Sequence, residues 1–189
     1  MTYTTDQTNH KFGGYRNLRS YQTSTIIYDL TVEFCDLYMT YKSNKSYRTY
    51  DQMVQAARSG RQNIAEGSQA SAVSKKTEIK LVGVARASLE ELLIDYEDFL
   101  RQRSLPLWEK SSQKAQEIRA FCYKTDTTYS TYQTYLKNPE SAANALICLI
   151  HQANYLLDKQ LESLKKAFVE EGGFTENLFK ARLQRRNSE

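Results

Sequence analysis

Leu146, Ile150, Asn154, Leu157, Leu161, Leu164 and Phe168 recur at spacings of four and three, a near-heptad stripe that only a long helix keeps on one side. The stretch opens at Asn138-Pro139-Glu140: an amide that caps, a proline where its missing N–H is harmless, and a carboxylate beside the positive end of the helix dipole. Gly172-Gly173 closes it, as glycine does at helix C-termini. A rod with so long an apolar edge needs a long partner helix or a subunit seam.

The rest of the chain reads the same way. Two prolines and seven glycines are spread over 189 residues, and the turn-punctuated short strands of an all-β domain are missing. Thr23, Ile27, Leu30, Phe34, Leu37 and Tyr41 predict a first long helix from roughly Leu18 to Lys42. A second is expected from about Thr49 to Ala70, with Tyr50, Met53, Ala57, Gly60 and Ile64 inward and Gly67 as its end. Another stripe of that helix carries Gln52, Ala56, Ser59, Asn63 and Gly67, small or amide-bearing residues that let a neighbouring helix come close and exchange hydrogen bonds.

Ser74 is a fitting N-cap for a third helix to about Arg103, stopped by Pro106. Leu81, Ala85, Ser88, Leu92, Tyr96 and Phe99 face inward, and Leu89, Leu93 and Leu100 widen that face. Between this helix and the one opening at Asn138, a short helix is expected near Ser112 to Tyr123, followed by a Tyr/Thr-rich stretch, Lys124 to Tyr135, that reads as a loop or partner-facing segment. The expected fold is all-α: a four-helix bundle over 15–171, a flexible arm over 1–14, and a short basic helix over 172–189.

Candidate chemistry is sparse. His10 and His151 leave little imidazole for general base work. Cys148 and His151 share a helical face at a spacing of three, where a buried thiol beside a surface histidine outweighs a thiolate–imidazole pair. Neither histidine has the Glu-x-x-His spacing of helical di-metal sites, and three dispersed cysteines (Cys35, Cys122, Cys148) offer no zinc spacing. Phosphate-binding loops of the GxxxxGK[ST] and GxGxxG types are absent. No catalytic residue, cofactor or metal is expected. Glu91, Asp95 and Asp98 line up at i, i+4 and i+7 and read as a solvated or subunit-facing stripe.

Charge is more informative. The net charge is +4, but residues 42–86 hold nine cations against three carboxylates, and the second half of the third helix is acidic. Arg58, Gln62 and Glu66 fall on one side of the second helix, and Lys76 and Lys80 lie one turn apart on the third. With Arg61, Lys75 and Arg86 they would neutralise several phosphates of RNA or DNA if the two helices are antiparallel neighbours. The alternative is an ordinary solvated face with internal Arg–Glu pairing.

The runs "QMVQAARSGRQNIAEG" (Gln52 to Gly67), "SKKTEIKLVGVARASLEELL" (Ser74 to Leu93) and "YRNLRSYQ" (Tyr15 to Gln22) occur in a telling order. Over Tyr15 to Leu100 the chain resembles the bacterial four-helix bundle family. That family includes proteins encoded in intervening sequences of large-subunit ribosomal RNA genes and the accessory variability protein of diversity-generating retroelements. The fourth long helix and its glycine-led tail look like the branch labelled four-helix bundle suffix proteins. The resemblance implies an up-down bundle assembled as a ring, typically a homopentamer, without enzymatic activity. In the retroelement member the ring is basic and associates with nucleic acid and a reverse transcriptase. The sequence departs from the family pattern at Gly60-Arg61-Gln62, where relatives often carry an Ile-Pro-Ser-like step, and over 104–138, which looks like an insertion before the fourth long helix.

The expected function is therefore a non-catalytic oligomer that binds nucleic acid through the second and third helices. The alternative is an oligomeric scaffold that recruits a protein partner such as a reverse transcriptase. The N-terminus lacks the apolar stretch of a signal peptide, and no segment has the length of a membrane span, so a cytoplasmic location is expected.

Overall fold

The computed structural model describes residues 14–39, 44–121, 124 and 127–187, with the side chains of 44–47 left aside. Most of the expected arm, Tyr41, Cys122 and His10 lie outside the described residues. The fold is all-α, and among the described residues there is no strand. Four long helices dominate: α1 (Arg19–Tyr38), α2 (Asn44–Ala70), α3 (Lys75–Gln102) and, after two shorter ones, α6 (Pro139–Glu171). The shorter ones are α4 (Gln113–Phe121) and α5 (Tyr129–Tyr132), the latter running into a 3-10 turn at Gln133–Lys137; α7 (Phe174–Arg186) closes the described chain.

The long helices pack in a closed cycle, α1 on α2, α2 on α3, α3 on α6 and α6 on α1. Side-chain pairs fix the directions. Tyr50 reaches Asp36 and Arg61 covers Tyr28, so α1 and α2 run antiparallel. Asn154 and Asp158 of α6 meet Glu90 and Arg86 of α3, so those two are antiparallel as well. Ser20 donates to Gln160 at 2.9 Å, and the Tyr38 hydroxyl, at the other end of α1, donates to the carbonyl of Leu136 just before α6. That pair too is antiparallel.

Burial follows the apolar stripes. Ile27, Leu30 and Phe34 on α1, Met53, Ala57 and Ile64 on α2, Leu89, Leu92 and Tyr96 on α3, and Leu146, Ile150 and Leu157 on α6 are buried in one cluster. Each such aliphatic side chain stabilises the fold by roughly 1.5–3 kcal/mol. Phe34 is the hub at one end, with Tyr96, Phe99 and Tyr38 edge-on at 4.9, 4.8 and 5.2 Å between centroids. The fully buried Tyr96 hydroxyl is satisfied by Thr31 Oγ1 at 3.0 Å, and Thr31 in turn donates to the Ile27 carbonyl at 2.7 Å.

Four details differ from the sequence expectation. Leu37 is half exposed rather than inward, because the buried face of α1 drifts onto Thr31 and Cys35. Val82, not Leu81, is the fully buried residue near the start of α3. Gly67 does not end α2, which runs to Ala70. It lies buried at the α2–α3 contact, where a Cβ would sit 3.4 Å from the Glu78 carbonyl oxygen and Leu81 Cβ. The Tyr/Thr-rich stretch is partly helical: α5 and the following turn bury Tyr132 and Leu136. Its helicity was hidden because one turn of helix is too short to show periodicity.

The ends of α6 match their sequence signals. Asn138 Oδ1 accepts from the Ser141 N–H at 2.9 Å, and Gly172 adopts φ 73 while its N–H bonds the Phe168 carbonyl. Asn144, buried in α6, pins the crossing segment by accepting from Trp108 N–H and donating to the Pro106 carbonyl.

Two glycines make the packing testable. A Cβ on Gly60 would lie 2.8 and 2.9 Å from Leu89 Cδ2 and Cγ, whereas one on Gly83 meets nothing within 4 Å. In urea melts, Gly60→Val is expected to cost about 2–3 kcal/mol through overpacking, and Gly83→Ala to add up to about 1 kcal/mol through helix propensity.

Candidate nucleic-acid interface

The α2–α3 seam is built from small and polar residues. Ser59 and Ser88 hydroxyls meet at 2.9 Å, and Asn63 Nδ2 donates to the Ser59 carbonyl at 2.9 Å and to its hydroxyl at 3.1 Å. With Gly60 against Leu89 and Gly67 against Leu81, the two helices are antiparallel and close. That is the arrangement the basic-face expectation requires.

The six candidate cations fall into three groups. Arg58, Lys76 and Lys80 are exposed, and among the described residues none of them is in an ion pair. The seam's register sets Lys80 level with Gly67 and Arg58 level with Leu89–Glu90. At the helical rise, Lys80 and Lys76 then lie about 14 and about 20 Å from Arg58 along the axis.

Lys75 and Arg86 are engaged with carboxylates. Lys75 bonds Glu171 at the far end of α6. Arg86 bonds Glu90 at 2.6 Å and Asp158 at 3.2 Å, and Glu90 also accepts from Asn154 Nδ2 at 3.1 Å. Arg86 therefore ties α3 to α6 and faces away from α2. Arg61 forms the third group: its guanidinium carbon sits 4.2 Å from the Tyr28 ring centroid, and its Nε is buried without an acceptor. This is a cation–π contact between α2 and α1. Three of the six candidates are thus exposed outside any described ion pair, and the other three hold helices together.

Glu66 is exposed on the same side as Arg58. Towards the start of α2, the groove between α2 and α3 is mixed in charge, with a volume of about 400 Å³ and Arg48, Asp51 and Glu91 along its walls. Further cations stand on α7, whose residues are all exposed: Lys180, Arg182, Arg185 and Arg186. The sequence reads 172–189 as a short basic helix, but a helix with no buried face carries no stripe to orient its charges.

Cys35 is buried, and its thiol is pushed up to about 12 by burial first and by Asp36 and Asp95 second, which leaves it inert. Among the described residues no group of three or more His, Cys, Asp and Glu is placed to hold a metal ion. No helix among them is long and apolar enough to cross a membrane.

The acidic half of α3 carries a linkage effect. Partial burial, then Glu91 and Asp98, push the Asp95 carboxyl from its ordinary 3.8 up to about 6. The folded chain thus holds the proton more tightly than the unfolded one, so stability falls as pH rises from about 4 to about 6 and then levels off. Asp95→Asn is expected to match the parent at pH 4 and to exceed it at pH 8. The gain is about 1 kcal/mol after discounting for solvent screening, read from urea midpoints at the two pH values. No protein-family model, curated protein or solved structure matches the chain.

Proposed function

We propose that the chain is a non-catalytic, self-associating protein built as an up-down four-helix bundle, and that it binds RNA or DNA through Arg58, Lys76 and Lys80 on the outward side of α2 and α3. The observation that carries this reading is the sorting of the cations: three are exposed and outside any described ion pair. Phosphate contacts need such groups, because a cation already neutralised by a carboxylate releases few counterions. Closed antiparallel packing of four long helices supports the bundle. Self-association supports the binding: three phosphates per chain is a weak grip, and a ring multiplies it through effective concentration. The homopentamer rests on the resemblance.

A second reading is favoured by α7. Phe174, Leu178, Phe179 and Leu183 are exposed beside its cations, as suits an adaptor that recruits a protein such as a reverse transcriptase. Recovery of one partner after nuclease treatment, with no nucleic acid retained, would select that reading.

Fluorescence anisotropy with labelled single-stranded RNA and DNA at several salt concentrations tests the first. Three phosphate contacts give a slope of log K against log salt of about −2 for one chain, steeper for an oligomer. Charge reversal of Arg58, Lys76 and Lys80 together is expected to weaken binding at least tenfold across sequences, with Lys159→Glu close to the parent. Binding that is absent or indifferent to salt removes the proposal. Light scattering is expected to give about 110 kDa for five 21.9 kDa chains; a monomer contradicts the ring.

A further inference from the structure

The side of the molecule opposite the α2–α3 seam holds a cleft of about 430 Å³ between α1, α6 and the α4–α5 segment. Its origin is the path of the chain from α3 to α6. Trp108 and Asn144 clamp the crossing at the start of α6, and Ala115 and Ile118 seat α4 on α6. Tyr132 then turns its ring edge-on to Phe121 at 5.8 Å. The connection returns across α6 towards α1 and leaves a space there.

The lining separates by chemistry. Ile26, Tyr132, Leu149 and Leu156 provide an apolar interior, while Arg19, Arg119 and Lys124 bring three cations to the same cleft from three different segments. Among the described residues that line it there is no carboxylate. Arg119 is held by the Ala115 carbonyl at 3.1 Å and by the Lys110 carbonyl. The Lys124 ammonium stands 5.1 Å from the Phe121 ring centroid. Neither contact neutralises the charge, since carbonyl dipoles and ring faces leave a cation attractive to an anion. His151 and Cys148 stand on the α6 wall.

A volume of this size, mostly apolar and with a few polar groups converging on it, matches the usual form of a small-ligand site. The positive sign of those groups selects the ligand's head. We propose that this cleft binds a small anionic amphiphile, with a carboxylate or phosphate head on an alkyl or aryl body, independently of the nucleic-acid surface. The body lies against Ile26, Leu149 and Leu156. The head sits between Arg119 and Lys124.

Isothermal titration calorimetry of the full chain with decanoate, decyl phosphate, decanol and decyltrimethylammonium tests this, the first two deciding which head is preferred. Expected are saturable binding of at least one anion, at least tenfold weaker binding of the ammonium compound, and intermediate binding of decanol. Lys124→Glu, at an exposed position, is expected to weaken the anion at least tenfold and to leave decanol within about twofold. Gln152→Trp, which fills the cleft, is expected to abolish both.

Should Gln152→Trp unfold, the wild-type chain supplies a second readout. Iodoacetamide alkylation of Cys148, mapped by mass spectrometry, is expected to slow at least fivefold under saturating anion. Absence of anion binding, equal affinity for the ammonium compound, or a Cys148 rate unchanged at saturation each overturns the proposal. So does anion binding that survives in folded Gln152→Trp.

Discussion

Close approach of α2 and α3 is the constraint on which the rest of the surface depends. Two glycines, two serines and an asparagine remove bulk from the seam and replace it with short hydrogen bonds. Where Gly60 and Gly67 meet α3, little room is left between the two helices for long side chains. Arg58, Lys76 and Lys80 lie off the seam stripes and emerge into solvent, while Arg61 and Arg86, set around the sides of their helices, reach the neighbouring α1 and α6. Position around each helix thus sorts six similar cations into two tasks, structural ties and available charge.

The structural ties are modest individually. Lys75–Glu171 and Arg86–Asp158 involve partly exposed groups, and such pairs contribute little on average. Their value is directional, since each links α3 to a defined level of α6 and so supports a single register. The buried stripes supply the bulk of the stability. Cations that serve register are poor candidates for ligand contact, because recruiting them would first break a tie.

Long-range order was legible in the sequence wherever a stripe ran for several turns. The start and end of α6, the inward faces of α2 and α3, and the Ser59–Asn63–Gly67 contact surface could all be read from spacing and capping chemistry. What escaped was decided by tertiary partners or by short elements. Gly67 has the same letter whether it ends a helix or admits a neighbour, and only the presence of Leu81 opposite decides. Tyr132 is buried because a single turn of helix folds onto α1 and the 3-10 turn after it onto α6, which no periodicity announces. Arg61 and Arg86 read as ligand-facing by composition, yet Tyr28 and Asp158, distant in sequence, claim them. The cleft beside α6 was likewise invisible, since its cations come from three separate segments.

Differential lysine reactivity tests the central claim most directly, because it reports which cations a bound nucleic acid covers without altering any of them. Acetylation of the free chain and of the chain saturated with single-stranded RNA is quantified residue by residue. The account predicts that Lys76 and Lys80 are protected, while Lys159 and Lys166 on α6, equally exposed but paired with Glu162 and Glu170, react at unchanged rates. Protection centred on α6, or unchanged reactivity of Lys76 and Lys80 at saturation, would contradict it.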